Sequence, residues 1–587
     1  MKKREITFAS MLLGIALAVV FGAANAYLGL RVGLTVSASI PAAVISMGVY
    51  RYVIRREALL ESNMVQTIGS AGESLAAGMI FTAPVLFMWA KEGMGMPPDS
   101  WTLTLIALAG GMLGTLFMIP LRRAIVARED AELKFPEGAA CADILKSGQK
   151  GAEGSGKVFG GMGVAFLLQF ALAGLKLAPS SLMVPVNFIR GAIGLDFSPA
   201  LAGVGYIVGP RIASVLFAGS FLGWMVLVPL LVWLGGDAVA FDYAAGGAQA
   251  VWSHHLRYIG AGAIATGGFI SLAKNLPLFV RAFRDVMRDT RRGAAGDGTS
   301  DLPGDLPGWT LPVGIVAVLL IVALTPSVEC GFGGALLVAL FGFFFAAVSA
   351  RMVAVVGSSN NPVSGMTIAT LVVATLVLKV AGVAGAVGMV SAMFIGSIVC
   401  VIASMAGDTA QDLRTGWLLG ATPWKQQLGE LVGALAASIS IGAVMYLLDR
   451  AWGFGSAEIP APQANLMKLV VEGIMGGTLP WGYLGIGAVL AAALAFTKIP
   501  VMPFAIGLYL PVGLNTMIFL GGIIRRFSRD AAGGTLFSAG LVAGEGLCGL
   551  FLALAALANL PLALPFSLGF PGAAALLVLL LCMMRKI

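Results

Sequence analysis

Long apolar stretches recur along the whole chain and are separated by short polar joints. Many contain about 20 residues, the length at which an α-helix crosses a hydrocarbon core of about 30 Å. In the first half the pattern predicts crossings near residues 6–27, 33–50, 63–90, 102–121, 158–176, 199–211 running into 212–235, and 256–273. In the second half it predicts them near residues 309–325, 332–350, 361–379, 383–405, 428–447, 465–478, 481–497, 503–523, 533–556 and 566–584. Because several segments are short or interrupted, the predicted fold is an all-α polytopic integral membrane protein with broken or re-entrant segments.

Basic residues are concentrated in every second joint between the apolar stretches of the first half, at residues 2–4, 51–56, 122–134 and 274–292. Cytoplasmic loops carry an excess of Lys and Arg, so this alternation predicts a cytoplasmic N-terminus. Residues 288–308 form a long polar segment rich in Gly and Pro, which is typical of a flexible linker. The predicted organisation is an N-terminal transmembrane half (1–287), a cytoplasmic linker (288–308) and a C-terminal transmembrane half (309–587).

Composition supports the membrane interpretation. Of 587 residues, 58% are hydrophobic and only 11% are charged, against about 25% charged residues in soluble domains. The net charge of +8 does not indicate nucleic-acid binding, because the basic residues lie between apolar spans. Five cysteines without a CxxC pair suggest neither a metal cluster nor a disulfide framework. The sequence contains no phosphate-binding loop of the GxxxxGKS type and no HExxH motif, so we expect no enzyme.

Two short stretches near opposite ends of the chain resemble each other and predict an internal pseudo-repeat. They read NAYLGLRVGLT at residues 25–35 and IGLYLPVGLN at residues 506–515, and an Ala-Gly-Glu triplet follows each one, ending at Glu73 and Glu545. A charge at the centre of a bilayer costs roughly 2.5–3.5 kcal/mol or more, so such residues are usually functional. Glu73 and Glu545 are therefore candidates for proton coupling. The alternative is a protonated Glu that bonds a neighbouring helix backbone only for packing.

Three polar or Pro-rich breaks interrupt apolar sequence, at residues 357–366, 476–482 and 498–503. Irregular backbone at membrane depth must be shielded by protein or line a cavity. A helix that starts at Pro362 would direct free N–H groups into such a cavity; the alternative is a loop at the membrane surface. The predicted substrate contacts are the polar residues of the first break together with residues flanking the repeats: Tyr27, Gln66, Ser358, Ser359, Asn360, Asn361, Ser364, Tyr509 and Asn515.

A second polar set, at near-helical spacing after an apolar span, contains Asp408, Gln411, Asp412 and Arg414. These residues are candidates for a gate, and a solvated loop with local pairing explains them equally well. Arg31 and Lys498 lie beside apolar spans and are further gate candidates, although such side chains commonly extend to the interface. His254 and His255 form the one histidine pair, with no Cys or carboxylate close in sequence. No metal site is expected.

Several segments, in the same order along the chain, resemble the prokaryotic, yellow-stripe-like branch of the oligopeptide transporter (OPT) superfamily. They are residues 25–46, 62–78, 134–147, 406–416 and 538–549, with further similarity at residues 203–229 and 260–279. The resemblance implies a carrier of about sixteen helices that is coupled to protons and imports peptides or peptide-like metal chelates. The fungal and plant peptide branch carries Asn-Pro-Gly and Lys-Ile-Pro-Pro-Arg motifs. Here Asn361-Pro362-Val363 and Lys498-Ile499-Pro500-Val501 match them only in part.

The leading hypothesis is a proton-coupled symporter of the cell (inner) membrane that works by alternating access, with no cofactor. Any metal would travel inside a chelate substrate. The expected partners are a small peptide-like substrate, the lipid bilayer and a second copy of the chain in a homodimer. A passive channel or non-transporting scaffold is the main alternative, and a membrane enzyme acting on lipids is a third. The cargo and the proton stoichiometry stay open.

Overall fold

A computed structural model describes residues 4–33, 35, 37–95, 97–127, 133–147, 149–294, 304–307, 309–326, 330–383, 385–476, 480–558, 560, 562–564 and 566–586. Almost all of this part of the chain is helical, which confirms the all-α prediction. One feature was not anticipated: an antiparallel hairpin of β1 (Ser181–Val186) and β2 (Gly191–Asp196), in which Ser181 pairs with Asp196. The strands follow a helix that ends in a π-helical turn at Phe170–Gly174.

The helices before the polar segment at 295–303 are α1 (Phe8–Val32), α2 (Ser39–Gly48), α3 (Leu59–Met79), α4 (Ala83–Lys91), α5 (Ser100–Ile125), α6 (Pro136–Ser147), α7 (Gln149–Gln169), α8 (Pro199–Leu222), α9 (Val228–Leu234), α10 (Gly236–Val251) and α11 (Arg257–Ala294). α8 contains a break at Gly209, whose φ of 84° is non-helical, followed by Pro210. That break coincides with the predicted joint near residue 211.

The helices after the same segment are α12 (Thr310–Leu324), α13 (Gly331–Val356), α14 (Val363–Val380), α15 (Gly385–Leu419), α16 (Pro423–Trp452), α17 (Pro462–Met475), α18 (Trp481–Ala495), α19 (Val501–Tyr509), α20 (Val512–Phe527), α21 (Ala531–Leu557) and α22 (Gly569–Lys586). The predicted break at 357–366 is a single 3₁₀ turn, Ser358–Asn360, after which α14 begins behind Pro362. The predicted linker begins within α11, which is helical to Ala294, and its residues 295–303 and 308 lie outside the described residues. Residues 477–479 of the second break also lie outside them.

Eleven helical stretches in the described residues are long and apolar enough to cross a membrane, and two shorter apolar helices are Thr310–Leu324 and Trp481–Ala495. The protein is therefore a multi-pass membrane protein. The number of complete crossings, about sixteen from the resemblance, stays a prediction.

α3 and α15 form the centre of the bundle. Every residue of α3 from Leu60 to Met79 is buried, and so is most of α15. α3 packs against α1, α15 and α16, and α15 also packs against α5, α13 and α14. α3 is nevertheless polar, with eight buried polar side chains: Glu61, Ser62, Asn63, Gln66, Thr67, Ser70, Glu73 and Ser74. Since lipid offers no hydrogen bonds, these groups must find partners inside the bundle.

Close packing of α1 on α3 depends on Gly72. A Cβ placed on Gly72 would lie 1.9 Å from the carbonyl oxygen of Ala18, and one placed on Gly22 would lie 3.0 Å from the carbonyl oxygen of Gly72. Small residues let helix backbones approach this closely, which is the usual basis of helix association in membranes. Gly72 thereby sets the position of the neighbouring Glu73.

The N-terminal segment is attached to the turn between α15 and α16. Glu5 accepts hydrogen bonds from the Thr422 backbone N–H (2.9 Å), the Thr422 hydroxyl (2.6 Å) and the Lys425 ammonium (3.0 Å). Burial alone raises the pKa of Glu5, but the bonds from Thr422 and Lys425 outweigh burial and hold that pKa below its ordinary value. The start of α1 therefore lies at the same end of the bundle as the start of α16.

We expect Gly72→Ala to destabilise the protein by about 1–3 kcal/mol, because the added methyl group forces the α1 and α3 backbones apart. Gly156→Ala in α7 is the matched control, since a Cβ there meets nothing within 4 Å. Thermal unfolding in detergent measures both variants. Equal melting temperatures for the two would contradict the proposed packing constraint.

We expect Glu5→Gln to lower the melting temperature at neutral pH. A carboxyl whose pKa is depressed by folding stabilises the native state above its unfolded pKa, and this contribution is lost as the pH falls through the folded pKa. The difference between Glu5→Gln and the wild type should therefore shrink as the pH is lowered below about 4. The exposed Glu57→Gln is the control, and a difference that persists unchanged at low pH would disprove the anchoring role of the Glu5 charge.

Candidate functional site

A polar ladder connects the two central helices. On α3, Gln66, Ser70 and Ser74 follow one another at four-residue spacing, and on α15 Asp408 and Asp412 do the same. Residues four apart lie on one face of a helix. The Ser70 hydroxyl donates to Asp412 and the Ser74 hydroxyl donates to Asp408, while the Gln66 amide donates to Asp412 at 2.5 Å. Along the ladder the residue numbers increase on α3 and decrease on α15, so the two helices run antiparallel.

The break between α13 and α14 joins the same ladder. The Ser358 hydroxyl donates to Asp408, and the Ser358 backbone N–H donates to the Gln411 side chain at 3.3 Å. Glu137 of α6 accepts from the Ser359 backbone N–H at 3.2 Å. One carboxylate, Asp408, is therefore shared between the central helix α3 and the irregular segment before α14.

Glu73 lies beside the ladder and accepts a hydrogen bond from the Ala38 backbone N–H, immediately before α2. The N-terminal end of a helix carries a partial positive charge that favours an acidic group. Glu73 lies 14 residues after Leu59 in α3, about 21 Å along the helix axis. Asp408 lies 11 residues before the end of α15, about 16 Å from it. Both carboxyls are thus well inside their helices.

Glu430 of α16 completes the cluster. It is fully buried, and neither of its carboxyl oxygens accepts a hydrogen bond from a described residue. One proton placed between the Asp412 and Glu430 carboxyls would join them in a hydrogen bond. We refer to Glu73, Asp408, Asp412 and Glu430 with their donors as the carboxyl network.

The donors described for the carboxyl network are hydroxyl, amide and backbone N–H groups, all of them neutral. Neutral donors bond oxygens of Glu73, Asp408 and Asp412 but do not compensate the charges, and the Glu430 oxygens have no donor among the described residues. Burying several carboxylates without a cation is very costly, so charge balance in this network calls for protons or a bound cation.

Glu545 on α21 has a different environment. It accepts from the Arg31 guanidinium at 2.9 Å, from the Ser198 hydroxyl at 2.7 and 2.8 Å and from the Ala200 backbone N–H at 2.7 Å. Arg31 also lies over the Tyr27 ring and donates to its hydroxyl at 3.3 Å. Glu545 therefore caps the N-terminus of α8 and neutralises Arg31 of α1, whose side chain is 14% exposed.

A cavity of about 540 Å³ adjoins this ion pair, and we call it the Arg31 cavity. The polar and aromatic residues that line it include Tyr27, Arg31, Asp196, Ser198, Trp452 and Glu458. Trp452 is the last residue of α16, 22 residues and about 33 Å along the axis from Glu430. The cavity and Glu430 therefore lie towards opposite ends of the bundle.

A second cavity, of about 570 Å³, lies nearby and is called the Arg257 cavity. Its charged and phenolic lining residues are Lys91, Glu92, Arg257, Tyr258, Lys468, Glu472 and Tyr509. The Arg257 guanidinium donates to the Tyr509 hydroxyl from Nε (2.9 Å) and from Nη2 (2.8 Å). Both cavities thus contain an arginine on a tyrosine, and each tyrosine comes from one of the two segments of the sequence repeat.

The predicted site residues fall into three groups. Gln66, Glu73, Ser358, Asp408, Gln411 and Asp412 meet in and around the carboxyl network; Tyr27, Arg31 and Glu545 meet at the Arg31 cavity; and Tyr509 lines the Arg257 cavity. The remaining candidates are spread out. Asn361 donates to Ser349 at 2.8 Å, Arg414 donates to the Val126 carbonyl at 2.7 Å, and Asn515 braces Ser220 and the Gly507 carbonyl in the helical core. Ser359 and Lys498 are exposed, Ser364 is half-buried, and the Asn360 side chain lies outside the described residues.

Comparisons with known proteins match nearly the whole chain. The family model described as OPT oligopeptide transporter protein matches residues 5–556. The chain belongs to the OPT family. A Haemophilus influenzae protein named "Putative oligopeptide transporter" is 35% identical, with 90% of this chain and 92% of that protein covered. The "Metal-nicotianamine transporter YSL3" of Arabidopsis thaliana is 23% identical, with 80% of this chain and 77% of that protein covered. This OPT protein is a membrane transporter and not an enzyme.

Sequence reasoning missed several residues of the OPT protein's site. Glu430 is a carboxylate within an apolar span, the same signal that identified Glu73, and it was overlooked. Ser70 and Ser74 could have been found from their four-residue spacing with Gln66. Arg257 starts α11 and Glu472 lies in the last turn of α17, where charged residues are ordinary, while Lys468 lies in the middle of α17. Their convergence on one cavity had no local signal. The expectation that His254 and His255 lack a nearby carboxylate was wrong, because Asp242 contacts both, at 3.1 and 2.8 Å.

We expect Glu545→Ala to destabilise this OPT protein by about 3–5 kcal/mol, because Arg31 and the N-terminus of α8 would stay buried without their acceptor. Glu458→Ala is the control, since Glu458 is exposed and lines the same cavity. Thermal unfolding of the purified variants is the measurement. The double variant Arg31→Ala with Glu545→Ala should lose less stability than the two single losses added together, and strict additivity would refute the ion pair.

Proposed function

We propose that this protein is a proton-coupled secondary transporter that moves oligopeptides or peptide-like metal chelates by alternating access. The observation that carries the proposal is the carboxyl network, in which buried acids have neutral donors only. The printed names of the relatives, an oligopeptide transporter and a metal-nicotianamine transporter, support a peptide-like substrate class.

Protons are the simplest counter-charge for the carboxyl network. A proton taken up between Asp412 and Glu430 would create a hydrogen bond that two ionised carboxylates cannot make. A proton on Asp408 would remove the charge on which Ser74 of α3 and Ser358 of the α13–α14 break both converge. Loading and release of protons would thereby change how α3, α15, α16 and this break are held together.

Glu73 and Glu545 have separate roles in this proposal. Glu73 belongs to the network without a cationic partner and is the first candidate for proton coupling. Glu545 is neutralised by Arg31, so its protonation would release Arg31 towards the adjoining cavity. A released guanidinium can bind a substrate carboxylate, which would link protonation to substrate binding.

The two cavities supply space for the substrate at the end of the bundle that holds the C-terminus of α16. Ligand cavities in proteins commonly measure about 300–1,000 Å³, a range that includes both. The opposite end carries the α15–α16 turn, Glu5 and the basic joint at residues 51–56. Following the positive-inside rule, we place that end in the cytoplasm and the cavities on the outer side of the cell (inner) membrane.

Reconstituted liposomes provide the test. With acid imposed outside, we expect uptake of trialanine or of an iron–nicotianamine chelate together with proton entry, and saturation with trans-stimulated exchange. Glu73→Gln and Asp412→Asn should each reduce gradient-driven accumulation at least tenfold, because the transporter can no longer couple substrate movement to protons. Counterflow exchange should remain, because the path of the substrate is unchanged.

Asp237→Asn is the matched control, since Asp237 is an exposed acid of α10. Uptake that ignores the pH gradient, or accumulation that survives Glu73→Gln combined with Glu545→Gln, would rule out proton coupling. Linear flux without exchange would instead indicate a channel.

A further inference from the structure

The Arg257 cavity has a positive end. The hydrogen-bond partners described for the Arg257 guanidinium are the Tyr509 hydroxyl and, at 3.4 Å, the Pro460 carbonyl, both of them neutral. The guanidinium lies 5.2 Å from the centre of the Tyr509 ring and 5.7 Å from that of Trp252, so two aromatic faces hold it in place. Its charge has no carboxylate in contact among the described residues.

The same cavity has a negative end. The Lys468 ammonium lies between two carboxylates, 2.9 Å from Glu92 and 3.0 Å from Glu472. The three groups together carry one net negative charge. Trp89 donates to Glu472 at 2.8 Å and thereby fixes its orientation. Lys91 pairs with Asp449 at 2.6 Å, so it adds no net charge to the cavity wall.

The Arg31 cavity contains a similar arginine–tyrosine pair, and in that pair the arginine binds a carboxylate. There the Arg31–Tyr27 pair holds the carboxylate of Glu545, an acid of the chain itself. In the Arg257 cavity the tyrosine of the other repeat segment, Tyr509, also carries an arginine, but no carboxylate among the described residues contacts that arginine. An arginine fork that is already oriented is well suited to a carboxylate from outside.

We propose that the Arg257 cavity binds the charged ends of an amino-carboxylate substrate, a binding site that rests on the proposed transport function. The substrate carboxylate bonds Arg257, and its ammonium group bonds the carboxylates of Glu92 and Glu472. The wall of the cavity also includes Met88, Met94, Met389, Phe454 and Leu469. Flexible apolar side chains of this kind accept varied shapes, so recognition depends on the ends of the substrate more than on its side chains.

Binding to the purified full-length protein in nanodiscs tests the site without any pH gradient. The probes are trialanine, its C-terminal amide, its N-acetyl form and iron–nicotianamine, measured by titration calorimetry. We expect each terminal block on trialanine to weaken binding roughly 10- to 100-fold, the usual effect of losing a charged hydrogen bond. Arg257→Gln should weaken trialanine to the same extent and leave the affinity of the amide unchanged. Glu92→Gln should behave in the same way towards the N-acetyl form.

Arg450→Gln is the matched control, because Arg450 also lies over a tyrosine and bonds its hydroxyl, at 3.3 Å from Tyr446, but on the exposed surface of α16. Arg257→Lys keeps the charge and should retain part of the affinity, which separates a binding defect from misfolding. If iron–nicotianamine alone binds, with the same dependence on Arg257, the site is supported and the chelate is its ligand.

The proposed site would be overturned if free and amidated trialanine bound equally and iron–nicotianamine binding were unaffected by Arg257→Gln. It would also be overturned if neither trialanine nor iron–nicotianamine bound. These results are distinguishable from a failure of the proposed function. Binding without proton-driven uptake would remove the coupling mechanism alone, and coupled uptake with no effect of Arg257→Gln would remove the binding site alone.

Discussion

The structure depends on the burial of a polar helix. α3 is enclosed on all sides, so its polar side chains can find hydrogen-bond partners only within the protein and not in lipid. Ser70 and Ser74 meet Asp412 and Asp408 at matching four-residue intervals, and this requirement allows one register between α3 and α15. Gly72 allows the backbone of α1 to close over the opposite side. The polar ladder therefore specifies the arrangement of the central helices as well as supplying acidic groups.

Long helices connect this network to the cavities. α16 carries Glu430 near its start and ends at Trp452 in the wall of the Arg31 cavity. α1 packs on α3 beside Glu73 and carries Tyr27 and Arg31 at its other end. A helix transmits a displacement along its axis because its hydrogen bonds are all internal. A change of charge in the network can thus reach a cavity about 33 Å away through only one or two elements.

The sequence was informative where the physical signal is local. Apolar length located most helices, and the Gly209–Pro210 and Ser358–Pro362 breaks were recognisable because Gly and Pro disfavour continued helix. Glu73 and Glu545 were identified because charge inside apolar sequence is costly, but their different partners could not be predicted. Arg31 meets Glu545 across 514 positions, and Arg257 meets Tyr509 across 252 positions. Such contacts depend on tertiary packing, and the β-hairpin likewise had no alternating pattern strong enough to indicate it.

The segment between α16 and α17 gives the two cavities a shared wall. Phe454 and Gly455 line the Arg257 cavity, and Glu458 and Ile459 line the Arg31 cavity. The segment is held at its end, where the Pro460 carbonyl accepts from both Arg257 and Tyr509 and the Ala461 N–H donates to the Leu30 carbonyl, next to Arg31. A carboxylate bound to Arg257 in the proposed site would share the guanidinium with the Pro460 carbonyl, 3.4 Å away. In the proposed mechanism, a substrate on Arg257 would therefore act on a segment that also lines the Arg31 cavity and is bonded to α1 next to Arg31.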